Sequence, residues 1–346
     1  MNYVNQTSFL WVFILSFSFT FIMAPVLCKT LGKYLKDTPT ALKNHIGTVP
    51  LTGGLAVLFG FLASLTVIRF TTNFPTGTLR NLRGIFLGTV IIFILGLIDD
   101  IRKPRGLNAL TRLIVQAIAA FCLIYFNVKI QFVPEPWASV LTVLWVCGLT
   151  NAFNLLDIQD GLAASQALIA GLAFLIISLP SENIYVNFLA ISVIGSTLAF
   201  IPYNFGIKNI KSFLGDSGST TLGFLLSALA LGVDYSARNP LAVFAPLLIL
   251  AVPIFDTVYV FIVRLLKGMS PLQGSPDHFA LRLFRRGLSK KQVLVLIILA
   301  GIILDILAFI VAKSSFVTTV FIYLLVLCFA LGFAVFLREK DKAVKK

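Results

Sequence analysis

The 346-residue chain is poor in charge and poorer still in acid: 12% of its residues are charged, 14 are Asp or Glu, and two are His. Against this stand 58% hydrophobic residues and a mean hydropathy of +0.96. So little polar surface cannot solvate a core of this size, which excludes both a disordered chain and a soluble fold. What remains is all-α: a polytopic membrane helix bundle, since helices satisfy their own backbone groups in lipid. The cysteines Cys28, Cys122, Cys147 and Cys328 are far apart and lie in apolar runs, giving neither a CxxC pair nor a disulfide framework. No basic residue precedes the first apolar stretch, which is longer than the core of a secretory signal, so it reads as a retained helix.

A spanning helix needs about 20 apolar residues. Eleven such stretches are expected, near 8–28, 50–70, 83–98, 111–128, 137–156, 161–179, 185–204, 218–235, 240–263, 292–311 and 315–337. Placing the N-terminus outside and the C-terminus in the cytoplasm sends 29–49, 99–110, 157–160, 205–217, 264–291 and 338–346 to the cytoplasmic side. With flanking residues, those segments then hold all 28 basic residues except Arg69, Arg80, Arg83, Lys129, Arg238 and Lys313. Topology therefore accounts for the net charge of +14 without nucleic acid. The same charge attracts anionic headgroups and phosphorylated substrates. Residues 1–337 read as one integral membrane domain and 338–346 as a disordered basic cytoplasmic tail.

A carboxylate at the centre of a bilayer costs about 2.5–3.5 kcal/mol on insertion scales, so the places of the acids are informative. Asp99 and Asp100 end the third stretch in GLIDD, Asp157 and Asp160 end the fifth in NAFNLLDIQDGLA, and Asp216 precedes the eighth in FLGDSGST. All five fall at one cytoplasmic boundary, whereas Asp37, Glu339 and Asp341 read as solvated boundary markers. Five like charges at close range need a cation. The ligands on offer are hard oxygens without a Cys/His cluster, which favours Mg²⁺, or Mn²⁺ in its place, over zinc. Asp160 and Asp216 each stand beside a small residue at the start of an apolar helix, where free N–H groups bind phosphate. Asn151 and Asn154 are amides that a spanning helix otherwise avoids, and substrate is their expected partner.

These motifs, in order, resemble the polyprenyl-phosphate N-acetylhexosamine-1-phosphate transferases, a group that includes the phospho-MurNAc-pentapeptide transferase of peptidoglycan synthesis. The likeness runs from about residue 36 to 292. It is carried by Asp37-Thr38-Pro39 with Lys43, His45, Pro50 and Gly53-Gly54, by the three acidic motifs, by PIFDT at 253–257 and by PDHFALRL at 276–283.

The resemblance implies Mg²⁺ on Asp157 and Asp216, with Asp99 deprotonating or positioning the lipid phosphate and Asp100 and Asp160 shaping the metal and nucleotide site. It puts Asn154 at the nucleotide pyrophosphate, sets Arg112 with Gln116 in a basic-x-x-x-Gln pattern, and makes His278 the first histidine of the sugar-side loop. Asp256 falls on a family acid of less certain role. The sequence departs from the family at Ile158, where many members have Gly, and Ile does not enter the φ > 0 region cheaply. It also has one histidine in the loop where others keep two or three, so Arg282 is expected to supply positive charge to a diphosphate, with Lys43 and His45 adding potential.

The activity so implied is transfer of N-acetylhexosamine 1-phosphate, GlcNAc-1-phosphate foremost, from UDP-N-acetylhexosamine to undecaprenyl or other polyprenyl phosphate. UMP would be released at the cytoplasmic face of the plasma (inner) membrane, starting a cell-envelope glycan, and a homodimer is compatible with it. The rival from another class is a transporter, which would place acids near the bilayer midplane and show repeat symmetry. No convincing repeat is present, and Asp305 is the acid expected mid-span, in a structural pairing. The CDP-alcohol phosphatidyltransferase motif, DGxxAR with trailing aspartates, does not follow Asp160-Gly161.

Overall fold

The computed structural model describes residues 6–37, 47–72, 76–103, 105–180, 184–207, 209–235, 238–270 and 275–343. Lys43 and His45 lie outside them. The contacts divide the chain into two units, Met1–Val233 and Asp234–Lys346.

The first unit carries α1 (Gln6–Thr30), α2 (Gly53–Thr71), α3 (Thr76–Ile101), α4 (Ala109–Tyr125), α5 (Trp137–Leu156), α6 (Leu162–Ser178), α7 (Ile184–Phe205) and α8 (Gly215–Gly232). Its only sheet among the described residues pairs β1 (Lys36–Asp37) with β2 (Val49–Pro50), antiparallel. Asp37 is therefore not a solvated marker: it lies opposite Val49 in that pair and is 5% exposed. The second unit carries a 3-10 turn over Pro240–Phe244, then α9 (Ala245–Ile249), α10 (Ala251–Leu266), α11 (Phe279–Arg285), α12 (Lys290–Lys313) and α13 (Phe316–Ala343).

Every apolar stretch read from the sequence holds helix. Among the described residues, seven helices are long and apolar enough to cross a membrane, namely α1, α2, α3, α5, α7, α12 and α13. The protein is a multi-pass, all-α membrane protein. The expected straight span at 240–263 is instead broken by 74° between Pro240–Ile249 and Ala251–Leu266. Pro253 explains the break: it has no N–H to give the Ile249 carbonyl, and its ring crowds that turn. The expected disordered tail differs too, because α13 continues to Ala343. The run Arg338-Glu339-Lys340-Asp341-Lys342 consists mostly of good helix formers with opposite charges at helical spacing.

The axis of the first unit is α8. Its sequence, GDSGSTTLGFLLSALALG, is not strongly apolar, yet nearly all of it is buried, because α2, α3, α5, α6 and α7 surround it. Hydroxyls in such a helix are tolerated by bonding backward. Thr220 Oγ1 and Thr221 Oγ1 donate to Asp216 O and Ser217 O, each at 2.6 Å, and Ser227 Oγ donates to Phe224 O at 2.7 Å. Small residues bring neighbouring backbones close: a Cβ on Gly96 of α3 would sit 2.5 Å from Ser217 Cα, and one on Gly223 would sit 2.7 Å from Leu149 O of α5.

Candidate active site

The helix register collects the acids at one end of the first unit. Along the α5/α8 seam, Trp145 Nε1 donates to Ser227 O at 3.3 Å, Gly223 packs on Leu149 and Thr150, and Ser219 Oγ donates to Asn154 Oδ1 at 2.9 Å. The two helices are antiparallel, so the end of α5, which Asp157 caps, and the first turn of α8, which holds Asp216, lie toward the same end of the unit. On the α3 side, Asp100 accepts the backbone N–H of Asp216 and of Ser217, each at 2.9 Å. Gly215 makes this possible. It sits at φ +73°, where L side chains are strained, and a Cβ there would lie 2.7 Å from Asp100 Oδ2.

Asp99 is 2% exposed and is held from two sides. Leu107 N donates to its Oδ1 at 2.5 Å, and Arg112 of α4 reaches its Oδ2 at 2.6 Å. Its carboxylate also meets that of Asp216 directly. Lys103 offsets the like charges from the other side, with Nζ 2.7 Å from Asp100 and 3.1 Å from Asp216. Burial works against the Lys103 charge, but Asp216 and Asp100 outweigh it and hold the ammonium above its ordinary range. The Arg112 Nε–H is buried with no hydrogen-bond partner among the described residues.

Asp160 pairs with Lys211 at 2.5 Å. The turn before α6 is fixed by Asn204, a buried residue near the end of α7, whose Oδ1 accepts from Gly161 N at 2.5 Å while its Nδ2 donates to Ser212 O at 3.1 Å. Gly161 takes the left-handed conformation, φ +78°. Ile158 does not, so the departure from the family's glycine is accommodated without strain: Asn127 and Asn209 are the positive-φ non-glycine residues among those described.

The two asparagines find partners within the protein. Asn151 exchanges amide hydrogen bonds with Gln116 at 2.7 and 3.2 Å, and Asn154 takes Ser219. Lys103, Lys211, Asn204 and Ser219 went unread in the sequence. Lys103 carried a signal, three residues beyond Asp100 and hence on its side of the helix. Asn204 and Ser219 carried none.

In the second unit, Asp256 is fully buried and binds His278 Nδ1 at 2.7 Å. Asp277 receives Arg282 Nη2 at 2.9 Å, Lys267 Nζ at 2.7 Å and Ser275 Oγ at 3.1 Å. Burial pushes the Asp277 carboxyl up, but Lys267 and Arg282 prevail and hold it below the usual carboxylate range. Arg282 was expected at a diphosphate. It is 3% exposed and contacts Asp277, Leu337 O at 3.3 Å and the Tyr259 ring at 5.3 Å, so it fastens α11 to its surroundings. The pairing expected of Asp305 is missing for one oxygen, since its Oδ1 is buried with no hydrogen-bond partner among the described residues.

The described residues contain no group of three or more His, Cys, Asp or Glu side chains set to hold a metal. The donors that do meet, Asp99 and Asp216, are carboxylates. This set suits Mg²⁺, which takes one or two carboxylates and completes its shell with water and substrate phosphate, and it does not suit zinc.

The family model described as glycosyl transferase family 4 matches residues 82–234, the span from α3 to just beyond α8 that contains all five of these aspartates. The chain is 31% identical over 328 residues to the probable undecaprenyl-phosphate N-acetylglucosaminyl 1-phosphate transferase of Bacillus subtilis (strain 168), covering 92% of this chain and 88% of the relative. It is 27% identical to the undecaprenyl-phosphate alpha-N-acetylglucosaminyl 1-phosphate transferase of Yersinia pestis, with 92% and 87% covered. The enzyme of that name from Escherichia coli (strain K12) is 28% identical, with 90% and 85% covered. With its acid-bearing helices matched and nearly its whole length shared with such a relative, the chain belongs to glycosyl transferase family 4, the phosphosugar transferases of the membrane.

Proposed function

We propose that this chain transfers N-acetylglucosamine 1-phosphate from its UDP-sugar to undecaprenyl phosphate, at the cytoplasmic face of the plasma membrane, and releases UMP. The observation that carries the reading is the meeting of Asp99 and Asp216, from two helices distant in sequence, beside Lys103 and Arg112 at one end of the helix unit. A lipid acceptor reaches such a site only from the bilayer and a nucleotide donor only from water, so the reaction belongs at a membrane face.

Asp216 and Asp157 would hold Mg²⁺. The ion, when bound, neutralises charge on the donor diphosphate and on the departing UMP. Asp99 keeps the acceptor phosphate ionised and aimed, and Arg112, already on Asp99, has a free Nε–H for a phosphate oxygen. An oxygen of the lipid phosphate then attacks the β-phosphorus. The bond to the α-phosphate oxygen breaks, and that oxygen leaves with UMP. Asp160 and Lys211, paired at the start of α6, flank the nucleotide. Asp100 acts by holding the first turn of α8, and thus Asp216, in place.

Membranes containing the chain, given undecaprenyl phosphate and a panel of UDP-sugars, test this directly. The expected lipid product has the mass of undecaprenyl diphosphate-GlcNAc, with one UMP per product. A product only from UDP-MurNAc-pentapeptide, or none from any UDP-sugar, would overturn the proposal.

A further inference from the structure

Helices α11 and α12 follow one another through the turn at 287–289, and the way each ends fixes what surrounds that turn. Gly287 takes the left-handed conformation, φ +98°, and its N–H donates to Phe284 O at 2.9 Å while Leu288 N reaches Leu283 O at 3.3 Å. That pair of bonds stops α11. Ser289 starts α12 at once: its Oγ accepts from Gln292 N at 3.3 Å, and its own N–H donates to Gln292 Oε1 at 2.8 Å. Arg285 and Arg286 therefore stand at the end of one helix, and Lys290 and Lys291 open the next.

The cations that flank this turn have little to offset them. The sequence has no acid between Asp277 and Asp305, and Asp277 is already taken by Arg282 and Lys267. Both guanidinium groups are fixed by carbonyls. Arg285 Nη2 donates to Pro276 O, and Arg286 Nη2 donates to Phe336 O of α13, with its guanidinium carbon 3.9 Å from the centre of the Phe336 ring. A carbonyl orients a cation without cancelling its charge. Among the described residues, neither arginine nor Lys291 has a carboxylate partner. The lysines lie in the first turn of a 24-residue helix, where the helix dipole repels a cation. Arg285, Lys290 and Lys291 are exposed. Beyond the turn, α12 is long and apolar enough to cross a membrane, and Leu296 and Leu299, three residues apart, expose apolar surface along it.

We infer that this turn is a binding site for an anionic phospholipid. The headgroup phosphate sits among Arg285, Arg286, Lys290 and Lys291, and the acyl chains follow α12 past Leu296 and Leu299. Guanidinium groups grip phosphate oxygens through paired N–H donors, and the ammonium groups add point charges. A choline headgroup is rejected, because it brings its own cation into the cluster. The site lies wholly within the second unit and does not depend on the reaction assigned to the first.

Full-length protein in detergent, titrated with phosphatidylglycerol or with phosphatidylcholine and weighed by native mass spectrometry, tests this. The first phosphatidylglycerol is expected to bind about 10-fold tighter than the first phosphatidylcholine, and to lose that advantage in high salt. Lys290→Gln with Lys291→Gln, which keeps good helix formers and leaves the Ser289 cap intact, should weaken phosphatidylglycerol by about 25-fold, fivefold for each charge. Lys290→Arg with Lys291→Arg should keep the affinity. Lys29→Gln with Lys33→Gln, which removes two exposed lysines from the end of α1, should leave it unchanged. Equal affinity of the wild type for the two lipids overturns the inference, and needs no variant to fold. So does wild-type affinity in the Lys290 and Lys291 glutamine variant. An equal loss in the Lys29 and Lys33 variant overturns it too, since diffuse charge then does what the site was assigned.

Discussion

Asp100 Oδ1 and Oδ2 each take one backbone N–H of α8, from Asp216 and Ser217, at 2.9 Å. A side chain at the end of one helix thus performs the capping that the first turn of another needs. It also faces Lys103, so three donors converge on one buried carboxylate. Asp100→Ala should cost about 3 kcal/mol, since it orphans two backbone donors and leaves an ammonium short of a partner. Denaturation in detergent, followed by helix content, measures this. A loss below about 1 kcal/mol would remove Asp100 from the scaffold.

Asp216→Asn and Asp157→Asn should each lower Mg²⁺-dependent UMP release by at least about 100-fold, with melting close to wild type for Asp157→Asn. Chelating the divalent ion should stop turnover of the native protein, and added Mg²⁺ should restore it. Unchanged turnover in excess chelator would defeat the metal assignment.

Arg282→Ala should act on stability rather than on donor affinity. Breaking a buried pair by removing one partner costs about 3–5 kcal/mol, and Arg282 and Asp277 are both buried. A large rise in KM for the UDP-sugar with unchanged melting would return Arg282 to the binding role that the sequence suggested.

The same network sets an acid limit. Asp277 has a folded pKa below its ordinary value of 3.8, so its contribution is complete above that value and disappears as pH falls through the lower, folded one. Melting of the wild type should therefore drop more steeply below about pH 4 than melting of Asp277→Asn, in which that slope is absent.

Gly161→Ala should destabilise the turn that carries Asp160. The residue sits at φ +78°, and an added Cβ would run into the Phe205 ring. A cost of about 1–3 kcal/mol is expected, read as a lower melting temperature, together with reduced turnover.

Much of this was legible in the chain because lipid punishes misplaced charge. Asp99, Asp100, Asp157, Asp160 and Asp216 had to sit where apolar runs stop, and the structure gathers those stops at one end of the first unit. What sequence alone could not supply was the pairing of polar groups across helices. Nothing in a linear chain announces Gln116 or Ser219 as partners of Asn151 and Asn154. Nor does it announce Asp277 as the partner of Arg282. The break at Leu250 was hidden because an apolar stretch of the right length reads alike whether it is straight or bent, and Pro253 alone does not tell how sharply.

The tightness around α8 has a bearing on motion. Where Gly96 abuts Ser217 and Gly223 abuts Leu149 there is no room for a methyl group, and still less for a hydrated phosphate. At those two crossings the helices meet backbone to backbone, and α8 cannot slide or turn against α3 or α5 without separating them.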